Sequence, residues 1–486
     1  MRRRLVVLFG IGALLFPTLL AAARGDLDPT FGTGGKVTTN FGGNEASWGL
    51  AVQQDGKAVL AGSRSDSGPS DDFVLARYSV SGALDSTFDG DGKVTTDFGG
   101  RSDRAGDVAI QADGKIVAAG SGFPAEVRPL DFALARYNRN GTLDGTFGDG
   151  GKVLTTFEPN SIESANAVVI QPDGKIVAAG GTRSAGAPRS DLAVARYLPN
   201  GSLDPSFDGD GLVMTPISPG HDTVFDLVVQ PDGRLIAAGW SNPGGFDIAM
   251  ARYKTDGSLD SSFDADGKVI APFRPASTYA SHLLVQPDGK ILTGGTGLAR
   301  FNPDGGVDRS FGADGRAVTD LGLVKPVLQP DGKILAAGTI FQSSGQFSDF
   351  VVVRLTPAGR IDSTFGRGGR VVTDFRRQDD ATDATLLANG KLIVSGYTSH
   401  VPFEAGDFAV ARYVAIRFCV VPNVRGRTLS AARSSLTKAL CKLGTVRRTY
   451  SAGVRKGRVL SQRPAPRTRL AELAKVNLVV SRGRRR

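Results

Sequence analysis

Charged residues recur through this 486-residue sequence in a fixed phase. Arg77, Arg136, Arg196, Arg252, Arg300, Arg354 and Arg412 each sit in Ala-Arg-Tyr or a variant of it. Asp28, Asp85, Asp144, Asp204, Asp260, Asp308 and Asp362 each sit in Leu-Asp-x-x-Phe or a variant. A catalytic site needs one constellation, not seven near-identical ones. These charges are therefore expected to form structural pairs, one per repeat, costly to break from one side if buried. A ligand site belongs where the repeats disagree. One position changes chemistry from repeat to repeat, running Gly49, Asp107, Ala167, Asp226, His282, Lys325, Asp383. If it opens each inner strand of a closed ring, Asp107, Asp226, His282, Lys325 and Asp383 line the channel mouth and offer a cation or a polar ligand its partners. A solvated lining is the alternative.

Other chemistry is thinner. Asp89-Gly90-Asp91-Gly92, Asp208-Gly209-Asp210-Gly211 and Asp264-Ala265-Asp266-Gly267 resemble the start of a calcium loop. The distant glutamate is missing and other repeats place Gly-x-Gly there, so turns are the expectation and calcium the alternative; no other cofactor is expected. His221 and His400 read as loop residues without ligand spacing. No G-x-S-x-G, H-E-x-x-H, Walker or dinucleotide motif stands in a fitting context, so no catalytic residue is assigned.

The elements that must hold these residues follow from the turns. Gly56, Gly114, Gly174, Gly233, Gly289, Gly332 and Gly390 mark Asp-Gly-Lys or a relative of it between two apolar runs, mostly 56 to 60 residues apart. Asp226–Gln230, Pro231-Asp232-Gly233 and Arg234–Gly239 read as a β-hairpin. A third strand at Asp247–Tyr253 and a fourth at Gly267–Ala271 follow. Four strands in each of seven units predict an all-β fold, a seven-bladed β-propeller. Lys36–Thr39 is a fourth-type strand before the first hairpin, and the last repeat stops at its third strand, Phe408–Tyr413. The N-terminal strand is thus expected to complete the last blade and hide its edge. An open solenoid is the alternative, though it would carry distinct capping repeats. Hairpin turns and Leu-Asp loops should share one face. The variable connections, such as 63–71, 121–130, 240–246, 340–348 and 398–406, should share the other.

The order Leu203-Asp204-Pro205-Ser206-Phe207, Gln230-Pro231-Asp232-Gly233, Ala251-Arg252-Tyr253 resembles the delta-60 repeat of bacterial secreted proteins. The resemblance implies a propeller-like module and supplies no catalytic residues. After Tyr413 the pattern changes. Val421-Pro422-Asn423-Val424-Arg425-Gly426, a helix capped by Thr428, Gly457–Pro466 and Val476–Ser481 resemble a PASTA domain. That implies a small α+β module of bacterial envelope proteins, some copies of which bind peptidoglycan fragments. Arg467 stands where the family usually has Gly, and Ala471–Lys475 lacks the usual Gly before the last strand.

Arg2, Arg3 and Arg4, the apolar stretch Leu5–Leu20 and Ala21-Ala22-Ala23 read as a secretory signal, with an uncleaved anchor as the alternative. The expected domains are a signal peptide at 1–23, a propeller at 25–413, a PASTA-like domain at 418–483 and a basic tail at 484–486. No transmembrane segment is expected after cleavage. In an exported chain the isolated pair Cys419 and Cys441 is most simply a disulfide. From Val414 to Arg486 there are 19 basic residues and one acid, Glu472, whereas the chain as a whole carries only +10. A basic tail on an acidic body points to an anionic partner. The expectation is a secreted or cell-wall-associated binding protein, its propeller a recognition platform and its basic domain an anchor to peptidoglycan or an anionic wall polymer. An extracellular polysaccharide lyase or hydrolase working at the channel mouth is the alternative. Nucleic acid fits poorly, because the basic segment lacks interleaved aromatics for stacking.

Overall fold

The computed structural model describes residues 23–65, 71–99, 102–124, 129–184, 186–242, 245–273, 279–318, 320–342, 347–375, 378–399 and 406–485. Most of the expected signal segment, His400, and parts of the variable connections lie outside them.

At Gly233 the backbone has φ +85°, which glycine adopts without strain. Its N–H donates to the Gln230 carbonyl at 2.9 Å, closing the turn. The blade built on it runs His221–Val229, Leu235–Asn242, Asp247–Tyr253 and Lys268–Ala271, antiparallel and in sequence order. Seven such four-stranded sheets form, and their first strands adjoin one another in a ring around a central channel. The third strands are apolar on both sides because blades stack face to face: Asp191–Tyr197 is buried at every position after the first. Accordingly, each hydrophobic cluster of the ring spans two successive blades, and one joins the last blade to the first through Phe31, Leu50, Leu60, Ile393 and Phe408.

The seventh sheet unites the ends of the ring. Lys36–Thr39 pairs antiparallel with Asp407–Val414, from Lys36 opposite Ala411 to Thr39 opposite Phe408. Beyond the chain ends, Tyr78, Tyr137, Tyr197, Tyr253 and Tyr413 each donate a hydroxyl to a threonine on the outer strand of the preceding blade, at 2.8–2.9 Å.

Ile416 donates its N–H to the Gly390 carbonyl at 2.8 Å, and the chain then enters the small C-terminal module. Its helix Leu429–Lys438 is capped by the Thr428 hydroxyl and buries Ala432 and Leu436. Those side chains pack on Val459, Val476, Leu478 and Val480. Lys475–Ser481 lies between Lys442–Thr449, parallel to it, and Val459–Arg463, antiparallel. Cys419 and Cys441 form a disulfide. The two departures from the family pattern fall on left-handed backbone, Arg467 at φ +68° and Leu473 at φ +62°. Among the described residues no helix is long and apolar enough to cross a membrane.

Candidate functional site

The recurring charges form one structural cluster in each blade. Arg196 Nε donates to Asp204 Oδ2 at 2.7 Å, its guanidinium lies 4.5 Å over the Phe207 ring, and Lys175 from the hairpin turn reaches Asp204 at 3.0 Å. The turn lysine or arginine and the Leu-Asp loop therefore lie on one face. Burial disfavours ionisation of these aspartates, but the hydroxyl, lysine and arginine donors around them outweigh it and hold all seven carboxyls below the usual range. Arg196 also donates to the Thr255 carbonyl of the next blade at 2.6 Å. The cluster is thus a clasp between blades as well as a pair within one. In the last blade it joins the chain ends, with Arg412 Nε 2.8 Å from Asp28.

The row running from Gly49 to Asp383 does not open the inner strands or ring the mouth. Each inner strand starts two to five residues earlier, as in Asn44–Val52 and Gln378–Leu386. A β-bulge immediately precedes every row residue. A bulge adds a residue without ending the pairing, and that extension does not show in the apolar pattern. His221 accordingly opens a strand rather than lying in a loop, and its Nδ1 accepts the Ser190 N–H at 3.2 Å.

Inside the channel the charged row residues are brought together. Lys325 Nζ lies 3.3 Å from Asp226 Oδ2 and 3.5 Å from Asp383 Oδ1. His282 Nδ1 lies 3.9 Å from Asp226 Oδ2. Each aspartate also bonds backbone. Asp107 accepts from its neighbour Val108 at 2.7 Å and from Val168 of the next blade at 2.9 Å. Asp226 does the same with Leu227 and Leu283, and Asp383 with Ala384 and Leu50. Each carboxylate thus gives one bond to its own strand and one that staples its blade to the next. Burial pushes the Asp107 carboxyl up to about 7 and raises that of Asp383. Burial works against a charged Lys325, but the carboxylates of Asp226, Asp383 and Asp107 overcome it and raise its pKa. Burial, then Lys325, hold the His282 imidazole well below its usual value, so it is neutral at pH 7.

The residues that reach a ligand-sized space lie one position earlier, on the bulges. Trp48, Gly106, Asn166, Phe225, Ser281 and Thr382 line a cavity of about 860 Å³ on the variable face, with Phe123, Trp240, Phe246 and Tyr279 on its walls. Of the charged row, only His282 borders it. Because a bulge re-aims a side chain, the unpaired residue turns toward the channel. The signal in the sequence was the position before the chosen row, which varies at least as much. A smaller cavity, about 420 Å³, meets Lys325 from the hairpin-turn side and is bordered by Ile416 and Phe418 of the connection to the C-terminal module.

Sequence reasoning also missed a set of buried acids near the start of inner strands. Asp103 accepts from Phe98 N–H at 2.6 Å and Phe123 N–H at 2.9 Å. Asp379 accepts from Phe375 N–H at 2.6 Å. Burial raises both to about 6 and Glu163 to about 7. The Asp-Gly loops considered for calcium use Asp91, Asp210 and Asp266 to accept backbone N–H groups two residues on, at 2.8–2.9 Å, as turn residues do.

Comparison with known proteins agrees with this anatomy. The family model described as "Domain of unknown function (DUF5122) beta-propeller" matches residues 53–88, 111–147, 171–207, 230–263, 286–311 and 329–365. The remaining repeat is the one shared by the two ends of the ring. The PASTA domain model matches residues 420–482. No curated protein matches the chain. Among solved structures, the chain is similar to a catalytically inactive virginiamycin B lyase from Staphylococcus aureus at 10% identity, covering 77% of this chain and 98% of that one, with TM-score 0.47. It is similar to a protein of unknown function from Dyadobacter fermentans at 12% identity, covering 79% and 99%, with TM-score 0.41. It is also similar to the extracellular region of the Ser/Thr kinase PrkC from Staphylococcus aureus at 18% identity, covering 22% and 34%, with TM-score 0.15. The chain therefore carries a DUF5122 β-propeller repeat domain followed by a C-terminal PASTA domain.

Proposed function

We propose that the protein is exported and held at the cell wall, its PASTA domain the anchor and its propeller the recognition platform. The observation that carries this reading is the charge of the PASTA segment. Its 19 basic residues face one acid. All of them are exposed except Arg417, which is half-buried, and the terminal Arg486, which lies outside the described residues. Glu472 is itself engaged, 2.7 Å from Arg24. A field of this sign attracts anionic wall polymers or peptidoglycan. The test compares the full chain with a chain ending at Ile416 for co-sedimentation with purified bacterial cell walls. The full chain is expected to pellet and the shortened one to stay in solution. Equal behaviour of the two sinks the anchor.

An enzymatic reading draws on the neutral His282 imidazole as a polar partner for a substrate at the edge of the cavity, since burial and Lys325 disfavour its protonation. Release of products from wall and plant polysaccharides, lost in His282→Ala, would favour it.

A further inference from the structure

We propose that the large cavity on the variable face binds a neutral oligosaccharide of a few rings. This names the ligand of the recognition platform and rests on that reading. The argument starts from what the cavity walls offer. Trp48 and Phe246 are 41% and 42% exposed and border one cavity, and apolar exposure gathered in one place marks binding sites. Trp240 stands edge-on to Phe246 with ring centroids 4.8 Å apart, and Phe225 and Tyr279 are paired at 6.5 Å. Both pairs line the same space. These flat faces fit the C–H faces of sugar rings.

The polar complement is unspent. Among the described residues, the indole N–H groups of Trp48 and Trp240, the Tyr279 hydroxyl and the Ser121 hydroxyl make no hydrogen bond to the protein, and all four residues border the cavity. They are free to bond a ligand in the cavity. A ligand that alternates apolar faces with hydroxyls answers both needs, whereas a purely apolar one would leave the donors unpaired. A volume of about 860 Å³ lies within the range of small-molecule sites and exceeds one sugar ring.

Charge on the walls selects against ions. Arg104 is the charged side chain at the rim, and it is committed to Asp71 at 2.6 Å. His282 is neutral. Lys325 lies below, held between Asp226 and Asp383. A uronate, phosphate or sulfate would have to compete with Asp71 for Arg104, and an ammonium would find no free carboxylate on the walls.

The chain supplies its own probe. Its two tryptophans, Trp48 and Trp240, both line the cavity, so intrinsic fluorescence reports on this site. The full-length protein is titrated with neutral oligosaccharides of cellulose, xylan, arabinan and chitin type, with matched uronate oligomers, and with an apolar aromatic dye. The expected result is a saturable change with at least one neutral oligosaccharide, at a Kd of 1 mM or tighter as an order of magnitude. Phe246→Ala, at an exposed position, should weaken that binding by roughly tenfold, read by the same tryptophans. Tyr279→Phe, which keeps the ring, should weaken it less but measurably. No saturable change with any neutral sugar overturns the proposal. So does saturation by the uronates or the dye alone, or sugar binding unchanged in Phe246→Ala. Wall sedimentation is read separately: a chain that pellets but binds no sugar loses only this inference, and one that binds sugar but does not pellet loses only the anchor.

Discussion

Phe31 offers the sharpest test of how the ring closes. It belongs to the N-terminal segment, is 1% exposed and lies under Arg412 at 4.5 Å. Phe207 holds the same place in an internal repeat, 0% exposed and under Arg196 at 4.5 Å. Truncation of a core phenylalanine costs about 3–5 kcal/mol. Phe31→Ala and Phe207→Ala should therefore destabilise the folded protein by similar amounts in urea unfolding. They should differ in where the loss appears. The segment carrying Phe31 is held in the last blade by the four-residue strand Lys36–Thr39 and a few flanking bonds, such as Asp28 N–H to the Arg412 carbonyl at 2.7 Å. Losing 3–5 kcal/mol there lets it open locally. Amide exchange in Lys36–Thr39 and its partner Phe408–Ala411 should accelerate by about a hundred- to a few-thousandfold in Phe31→Ala. In Phe207→Ala it should stay close to wild type. If both variants leave exchange in these strands equally slow, the N-terminal strand does not close the ring as an independent latch.

Acidity tests the buried carboxyls. Asp103 and Asp379, raised to about 6, and Asp107 and Glu163, raised to about 7, hold protons in the folded protein that the unfolded chain releases near pH 4. Stability should therefore fall as pH rises from about 4 to 7, whereas the lowered Leu-Asp carboxyls contribute above about pH 4 and lose their effect below it. A Tm that climbs steadily from pH 5 to 7 contradicts this. At Gly49 an added Cβ would stand 2.7 Å from the Asp107 Cα, so Gly49→Ala should cost about 1–3 kcal/mol by forcing two inner strands apart. An unchanged unfolding midpoint would mean the channel is looser than described. Arg467→Gly and Leu473→Gly remove side chains from left-handed backbone and should each stabilise the PASTA domain by about 0.5–1 kcal/mol. A loss of stability in both would show that the side chains earn their place by contacts.

The repeat was legible because its turns are chemically demanding. Gly233 and its equivalents need positive φ, and Arg196, Asp204 and Phe207 stack as one unit, so the markers stay in phase. Closure could be read from a fourth-type strand displaced to the N-terminus. The site was only half legible. Asp107, Asp226, His282, Lys325 and Asp383 do converge in the channel, but below its mouth, because a bulge has no signature in hydrophobic alternation. For the same reason Trp48 and Phe225 went unnoticed beside Gly49 and Asp226. Walls such as Tyr279 and Phe246 come from connections that differ in every blade, where no period points to them. The acids at Asp103 and Asp379 accept backbone N–H groups of the connections leading into their own strands, from Phe98 and Phe375, and no repeat period or residue pattern marks such a bond.

The central functional claim is that charge on the PASTA domain holds this protein to the wall. The most direct measurement is binding of the full chain to purified walls, with and without their anionic polymers, across a salt series. Exposed charges lose reach as ionic strength passes about 0.15 M, where the Debye length is about 8 Å. The account predicts binding that drops steeply above that salt and is weaker on walls stripped of anionic polymer. Equal binding at low and high salt, on both kinds of wall, would contradict it and assign the contact to a pocket that recognises peptidoglycan itself.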